Sequence, residues 1–472
     1  MLLLLIQGCA LPRVDVPSLE QALPVPERWS IPPGEVAAVD LGAYWSSLGD
    51  PLIDDFVARA KANNFDIAQA IARLRIAEAG LREARAARLP NATAGAGIGR
   101  DFGDFSADEF QFSVSGDVAW ETDLFGRISG SIAASRADLV AAGYTAADVE
   151  RVIAANVAVQ TITARSIAAQ LDIARASLAN QDDNLLIAQW RAQAGLVSSL
   201  DVEQARTQRA QTAASIPQLE SDLVATANAI STLIGEPPGA VYRTLIADPR
   251  AVPAPPQAIA LGVPAETLRM RPDVAAAEAQ LAADLERAGV ARAQLYPLVR
   301  LSGSIGSSAF SVDDLLDIVT GNVLASVSQL LFDGGRTRAQ IDASEAIADG
   351  SLAAWRQSIL IALEDVETAS VDLAASGRRV AALIEASDGA RGAAILARSQ
   401  YQAGLIDFQV LLSVENQLLS ARTAQVTAEA ARASAYVRLA RAMGGGWQAT
   451  AGAGPEIAAP ISSANETGNN GQ

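Results

Sequence analysis

The sequence predicts a mainly α chain with a small β part, built as a duplicated half. Each half holds two β-strands and one very long antiparallel helical hairpin, giving four strands per chain. Three observations carry this reading. First, Gly126-Arg127 returns as Gly335-Arg336, Ala194-Gly195-Leu196 as Ala403-Gly404-Leu405, and Ile234-Gly235 as Met443-Gly444, at one constant spacing (335 − 126 = 209). That period is too long for a short-repeat solenoid. Second, the hydrophobic period switches from helical to alternating just before each long helix. Third, the long helical stretches exceed what an ordinary domain core can cover, so they require equally long neighbours.

Composition narrows the chemistry. With no histidine and one cysteine among 472 residues, an imidazole metal site, a His-based catalytic triad and an internal disulfide are all excluded. No paired-carboxylate constellation stands out, so the expectation is a chain without catalytic residues, metal or cofactor. A net charge of −17 argues against nucleic acid, whose phosphates need basic patches.

Residues 1–8 are an apolar stub lacking the basic region of a full secretory signal, and read as a truncated signal and lipobox remnant. Ile6-Gln7-Gly8-Cys9 resembles a bacterial lipobox, with Gln7 where a small residue is usual, and points to lipidation at Cys9; a chance Gly-Cys pair is the alternative. Residues 9–43 are dense in proline and read as an extended arm. Residues 44–248 form the first repeat. Tyr44-Trp45 leads into a helix from about Ile53 to Leu89, ended by Pro90.

Phe110, Phe112, Val114, Val118 and Trp120 then alternate with Gln111, Ser113, Ser115, Asp117 and Glu121, the signature of a strand with one oily and one wet face. A weaker partner, Ala92 to Ile98, precedes it across a loop bearing Asp101, Asp104 and Asp108. Such segments suit a membrane barrel, and equally an edge hairpin on a soluble core. Helix resumes at Arg127 and runs to about Ala192, spanning roughly 100 Å. After Gly195-Leu196-Val197-Ser198 a second helix runs from Ser199 to about Leu233, where Gly235-Glu236-Pro237-Pro238 stops it.

A Pro-rich connector at 249–264 precedes the second repeat at 265–447. It repeats the plan: a helix over about Pro264–Leu295, strands over Val299–Ser307 and about Asn322–Leu331, a long helix over Arg336–Gln402, and a last helix ending near Met443. Residues 448–472 read as a flexible tail.

No stretch offers about 18 uninterrupted apolar residues, so a membrane crossing would have to use strands. Four strands cannot close a barrel, and open edges are not tolerated in lipid. If the strands sit in a membrane, several copies must therefore pool them into one ring, and their long helices into a tube beneath it.

At this point the residues resemble a known family. Asp123-Leu124-Phe125-Gly126-Arg127 and Leu331-Phe332-Asp333-Gly334-Gly335-Arg336 close the two strand pairs. Arg191, Gly195 and Ser198 fit R-x-x-x-G-x-x-S, and Tyr401, Gly404 and Asp407 fit Y-x-x-G-x-x-D. Met270-Arg271-Pro272-Asp273-Val274 and the stretch Gly444 to Trp447 complete the set. Together they resemble the TolC-like outer-membrane efflux factors, in particular the NodT-like lipoprotein branch, over about Tyr44 to Trp447.

The resemblance implies a homotrimer with a 12-stranded barrel in the outer membrane, in contact with its lipid, above a periplasmic helical tunnel. It implies a passive export channel for small molecules in a tripartite efflux pump, docking a periplasmic adaptor fed by an inner-membrane transporter. On it, Arg191, Gly195, Leu196 and Ser198 form one adaptor-docking tip turn, and Tyr401, Gly404, Leu405 and Asp407 the other. Plain turn chemistry, with Ser198 and Asp407 as helix N-caps, accounts for some of the same residues.

Asp201 and Tyr401 resemble gate-network positions. Ser413 stands where the family often has a gate carboxylate, with Glu415 or Asp407 as substitutes. Phe125, Gly126 and Arg127, with Gly334, Gly335 and Arg336, read as strand-to-helix joints, with Arg127 paired to a nearby acid. The overall acidity fits either a cation-favouring tunnel or a solubilised outer surface. A type I protein-secretion duct on the same fold and a soluble periplasmic coiled-coil scaffold are the rival readings.

Overall fold

A computed structural model describes residues 16–26, 28–29, 40–100, 102, 109–256 and 264–447. Cys9 and the lipobox, Asp101, Asp104, Asp108 and the tail at 448–472 lie outside them. In chain order the elements are α1 (Leu19–Ala22), a 3-10 helix (Leu41–Leu48), α2 (Pro51–Asn63), α3 (Phe65–Ala86), β1 (Asn91–Arg100), β2 (Phe110–Thr122), α4 (Arg127–Gln193) and α5 (Ser199–Leu233). There follow α6 (Ala240–Ala247), α7 (Pro264–Arg269), α8 (Pro272–Ala293), β3 (Leu298–Ala309), β4 (Val319–Ser328), α9 (Arg336–Gln402) and α10 (Phe408–Ala442). The duplication shows in the lengths: α4 and α9 each have 67 residues, α5 and α10 each have 35, and α3 and α8 each have 22.

The chain divides into two compact units. One is formed by Ile71–Tyr144 and Asp273–Ser358 with the residues up to Pro24; the other by Val25–Ala70, Thr145–Pro272 and the residues from Ile359 onward.

The first unit carries an antiparallel sheet in the order β1-β2-β3-β4. Its register sorts the side chains, because residues directly opposite share a face. One face holds Ala96 opposite Val114, Ile98 opposite Phe112, Trp120 opposite Leu301, Gly116 opposite Ile305, and Gly303 opposite Val323. The other holds Gly97 opposite Ser113, Asp117 opposite Ser304, Glu121 opposite Arg300, and Ser304 opposite Asn322. Among the described residues no core covers the oily face: Val323 is 90 % exposed, Val327 70 % and Ile305 59 %. Elsewhere in this unit, the Asp284 carboxylate accepts from Gln280, Arg287 and Ser351, joining α8 to α9, and Arg287 also pairs with Asp138, joining α8 to α4. At Gly130 a Cβ would come 2.9 Å from Val290 Cγ2, so only glycine lets α4 and α8 approach this closely.

The second unit has the larger core, with Tyr44, Ile53, Phe56, Val157, Ile162, Ile230, Ile234 and Tyr436 buried. Each of the Ile, Val and Phe side chains among them contributes about 1.5–3 kcal/mol on burial. α4 is the one described helix long and apolar enough to cross a bilayer by length and composition, but 56 % of that stretch is buried. Ile153, Val157 and Ile162 pack into this core, which gives the stretch its apolar character. Arginines tie the unit together. Arg165, 1 % exposed, donates to both carboxylate oxygens of Asp50 at 2.8 and 3.1 Å, and also to the Asp248 backbone carbonyl. Arg271, from the Met270–Val274 motif, donates to the carbonyl of Ala442 at 3.0 Å, at the end of α10 where a cation offsets the helix dipole. Gly235 and Gly444, equivalent in the two repeats, both press on a neighbouring helix end. A Cβ at Gly235 would meet the Asn63 carbonyl oxygen at 2.5 Å, and one at Gly444 the Met270 carbonyl oxygen at 2.7 Å.

The structure corrects the sequence reading in several places. The helix expected over Ile53–Leu89 breaks at Asn64, which turns extended. Its side chain accepts from the N–H groups of Asp66 and Ile67 and donates to the Leu233 carbonyl. The helix expected over Pro264–Leu295 splits at Met270-Arg271, since Pro272 disfavours helical backbone in the residue before it. β4 is shifted to Val319–Ser328, so Leu331 and Phe332 lie beyond it. The arm contains α1, closed by a Ser18–Gln21 capping box, and α6 was not foreseen.

Arg165→Met alone leaves Asp50 buried without its partner and should cost about 3–5 kcal/mol. Combining it with Asp50→Leu should cost less than the sum of the single changes. Thermal denaturation of the detergent-solubilised protein checks both; additive losses would show that the pair does not act as a unit.

Candidate functional site

Two hairpin turns, α4–α5 and α9–α10, carry most of the predicted site, and both belong to the second unit. They are built alike. Gly195 and Gly404 adopt φ of 71° and 75°, the left-handed region in which a side chain is strained. The N–H of Leu196 bonds the Arg191 carbonyl at 2.9 Å, and that of Leu405 bonds the Gln400 carbonyl at 2.9 Å. These bonds close the ends of α4 and α9 in the same glycine-dependent way. Each turn projects a leucine: Leu196 is 69 % exposed and Leu405 74 %.

The restarts of the helices differ. Ser198 caps α5, its hydroxyl accepting from the N–H of Leu200 at 3.1 Å. Asp407 holds the N-cap position of α10, but its side chain makes no capping bond. The N–H groups of Val410 and Leu411 go to its carbonyl instead, leaving the carboxylate exposed. The expected Asp407 side-chain cap is corrected accordingly.

Immediately behind the turns the two hairpins bury a small apolar cluster of Ala188, Ala205, Ala397, Tyr401, Phe408 and Leu411. Arg191 closes it at the tip: its guanidinium lies 4.7 Å from the Tyr401 ring centroid and donates to the Tyr401 carbonyl at 2.7 Å. Tyr401 in turn meets Phe408 edge to face at 5.6 Å. Burial raises the Tyr401 phenol above its ordinary value, against the opposing Arg191 charge and with that of Asp201, so it stays neutral. Asp201 is half-buried in the first turn of α5 and acts on Tyr401 through its charge.

On the far side of the cluster lies a polar layer. Glu415, 9 % exposed, accepts from Asn184 at 2.6 Å and from Arg398 at 3.1 Å, and Asn416 donates to Gln208 at 3.1 Å. These bonds join α4 to α10 and α5 to α10, across the two hairpins. Ser413, expected in the gate, is exposed. Glu415 was named only as a substitute. A lone carboxylate on a helical stripe gives no sign of its burial, and its partners are distant in sequence.

The strand-to-helix joints lie in the first unit. Arg127 is held by Glu121, Nε donating at 2.8 Å, the pairing expected for it. Asp123 receives the N–H groups of Ile128 and Ser129, and Asp333 those of Gly335 and Thr337, so each carboxylate neutralises the start of a 67-residue helix. Burial works to raise the Asp123 carboxyl, but the hydrogen bonds from Ser129 and Ile128 outweigh it and hold it below the usual range. Phe125 stacks on Tyr296 at 5.2 Å. Gly126, Gly334 and Gly335 take positive φ, and Arg336 is exposed. No cluster of metal-binding side chains occurs among the described residues.

Comparison with known proteins agrees with this geometry. The family model described as "Outer membrane efflux protein" matches residues 56–236 and 263–445, one segment per repeat. The chain is 32 % identical over 443 residues to the pyoverdine export outer membrane protein OpmQ of Pseudomonas aeruginosa, covering 91 % of this chain and 93 % of that one. It is 29 % identical over 467 residues to nodulation protein T of Rhizobium leguminosarum bv. trifolii, covering 96 % and 97 %. Among solved structures, the outer-membrane channel OprN superposes with a TM-score of 0.79 at 32 % identity, over 89 % of this chain and 98 % of that chain.

Glu415→Ala removes the acceptor shared by Asn184 and Arg398, a loss worth about 1–3 kcal/mol. Amide hydrogen exchange should rise in the segments around 184–200 and 395–415 and stay unchanged around Arg165. Uniform exchange across the second unit would contradict a local clasp.

Proposed function

This chain belongs to the outer membrane efflux protein family, and on that premise we propose that it works as a homotrimeric, passive conduit of a tripartite pump for small molecules. The observation that carries this reading is the two-faced sheet. Its strands leave an oily face open to the surroundings and a wet face rich in serine, and both β1 and β4 are edge strands, exposed along their length. Bare edges are not stable in lipid, so the sheets of neighbouring copies must pair. Three copies of a four-stranded sheet supply twelve strands. The dimensions fit: at roughly 3.3 Å per residue, tilted by about 40°, a ten-residue strand rises about 25 Å, the height of a barrel's apolar band. Phe110 and Phe112 stand at one end of that face and Trp120 at the other, as aromatic girdles do. The bare oily face also speaks against a soluble scaffold.

The long helices then extend into the periplasm, with the turns at Gly195 and Gly404 at the tip. Leu196 and Leu405 offer an adaptor two near-equivalent exposed knobs per chain, Arg191, Ser198, Tyr401 and Asp407 flanking them. The Arg191–Tyr401 contact and the Glu415 layer hold the tip closed until the adaptor engages. Cys9 provides a lipid anchor. An inner-membrane transporter supplies the energy.

In planar bilayers the purified chain should form pores, and the double variant Arg191→Ala/Glu415→Ala should raise single-pore conductance several-fold. A chain that forms no pores would overturn the conduit reading; pores insensitive to the double variant would overturn the placement of the closure at the tip.

A further inference from the structure

One position on the oily face breaks its pattern, toward the end of the sheet opposite the strand-to-helix joints. The register puts Leu301, Gly303, Ile305, Ser307 and Ala309 of β3 on that face, since Leu301 lies opposite Trp120 and Ser307 opposite Val114. Ser307 is the polar side chain of this set. It is only 8 % exposed although Ile305 beside it is open, and its hydroxyl is buried without a hydrogen-bond partner. Ser307 lines a cleft of about 210 Å³ together with Val114, Gly116, Ile305 and Val319, and Leu316 of the β3–β4 loop borders it. Gly116, directly opposite Ile305, brings no side chain to the face and so deepens the cleft. Leu316 is 75 % exposed.

A buried hydroxyl without a partner is costly, and within lipid no bulk water relieves it. What suits such a cleft is an apolar tail carrying one hydrogen-bond acceptor: the tail covers the aliphatic walls and the acceptor takes the serine proton. None of the lining side chains is charged, so a headgroup charge has no counterpart here. Position narrows the choice further. The cleft centres on β2 and β3, the middle strands, whereas copies of the chain would pair at β1 and β4. Ser307 stands two places before Ala309, where β3 ends, so on the membrane reading it lies near the depth at which hydrocarbon gives way to the polar interface.

We infer that this cleft seats one acyl chain of a membrane lipid, in the leaflet at the loop end of the sheet, with the Ser307 hydroxyl donating to the chain's ester or amide carbonyl. The inference rests on the membrane reading above. Rotation about χ1 moves the serine oxygen among three staggered positions and turns it toward the lipid. Leu316 then lies along the chain and holds it against Ile305.

The test uses the full chain in nanodiscs holding equal amounts of diacyl phosphatidylcholine and its dialkyl ether analogue, which share headgroup and chain length and differ in their carbonyls. Lipid retained by the protein is counted by native mass spectrometry. The wild-type chain should retain the ester form about five-fold over the ether form, the value of one net hydrogen bond. Ser307→Ala should abolish that preference, Ser307→Thr should keep part of it, and Ser308→Ala, on the wet face, should leave it unchanged. Gly116→Leu, which fills the cleft, should lower retention of both lipids. Equal retention of the two by wild-type protein inserted as a folded barrel, or a preference indifferent to Ser307→Ala, would overturn the inference and leave the membrane reading standing. Undiminished retention by Gly116→Leu would overturn the placement of the chain in this cleft. A wild-type chain that fails to insert would overturn both the inference and the membrane reading.

Discussion

An antiparallel sheet with one oily face, one wet face and two bare edges is at home in neither water nor lipid as a single copy. Water penalises Val323, Val327 and Ile305 on the oily face; lipid penalises the unpaired N–H and C=O groups along β1 and β4. Only closure with other copies answers both, and closure at once separates an inside from an outside. The remaining features follow from that need. Asp123 and Asp333 each start a long helix directly after a strand pair, and the glycine turns reverse those helices.

Duplication explains why the same solutions recur. The paired glycines at the tip, and the pair pressed against Asn63 and Met270, repeat because the geometry they permit repeats. Where the halves diverge, the divergence has consequences. α5 carries Pro217 inside it, and Glu415 belongs to α10 alone. A trimer of such chains would present six hairpins of two related kinds.

Much of the fold was legible because its signals are local. Alternation along Phe110–Trp120 located β2, and glycine spacing located both turns to the residue. An acid near Arg127 was expected as its partner, and Glu121, six positions before it, is that acid. The misses arose where neighbours in space outweigh neighbours in sequence. Asn64 breaks a continuous helical pattern because the Leu233 carbonyl, far along the chain, takes its side-chain amide. β4 was placed too late because apolar residues continue through Leu331 and Phe332 after the pairing with β3 has ended. The Asn184–Glu415–Arg398 layer was invisible, since it exists only once two hairpins pack together. Pro272 is the exception: its break in the helix was readable from the residue itself.

Everything depends on β1 of one copy lying beside β4 of the next. Cysteines introduced one on each of these strands, in a Cys9→Ser background, test that arrangement directly by oxidation in intact outer membranes. Closed rings predict a covalent trimer, the largest species, on denaturing gels. Monomers throughout, or a ladder extending beyond three chains, would contradict it.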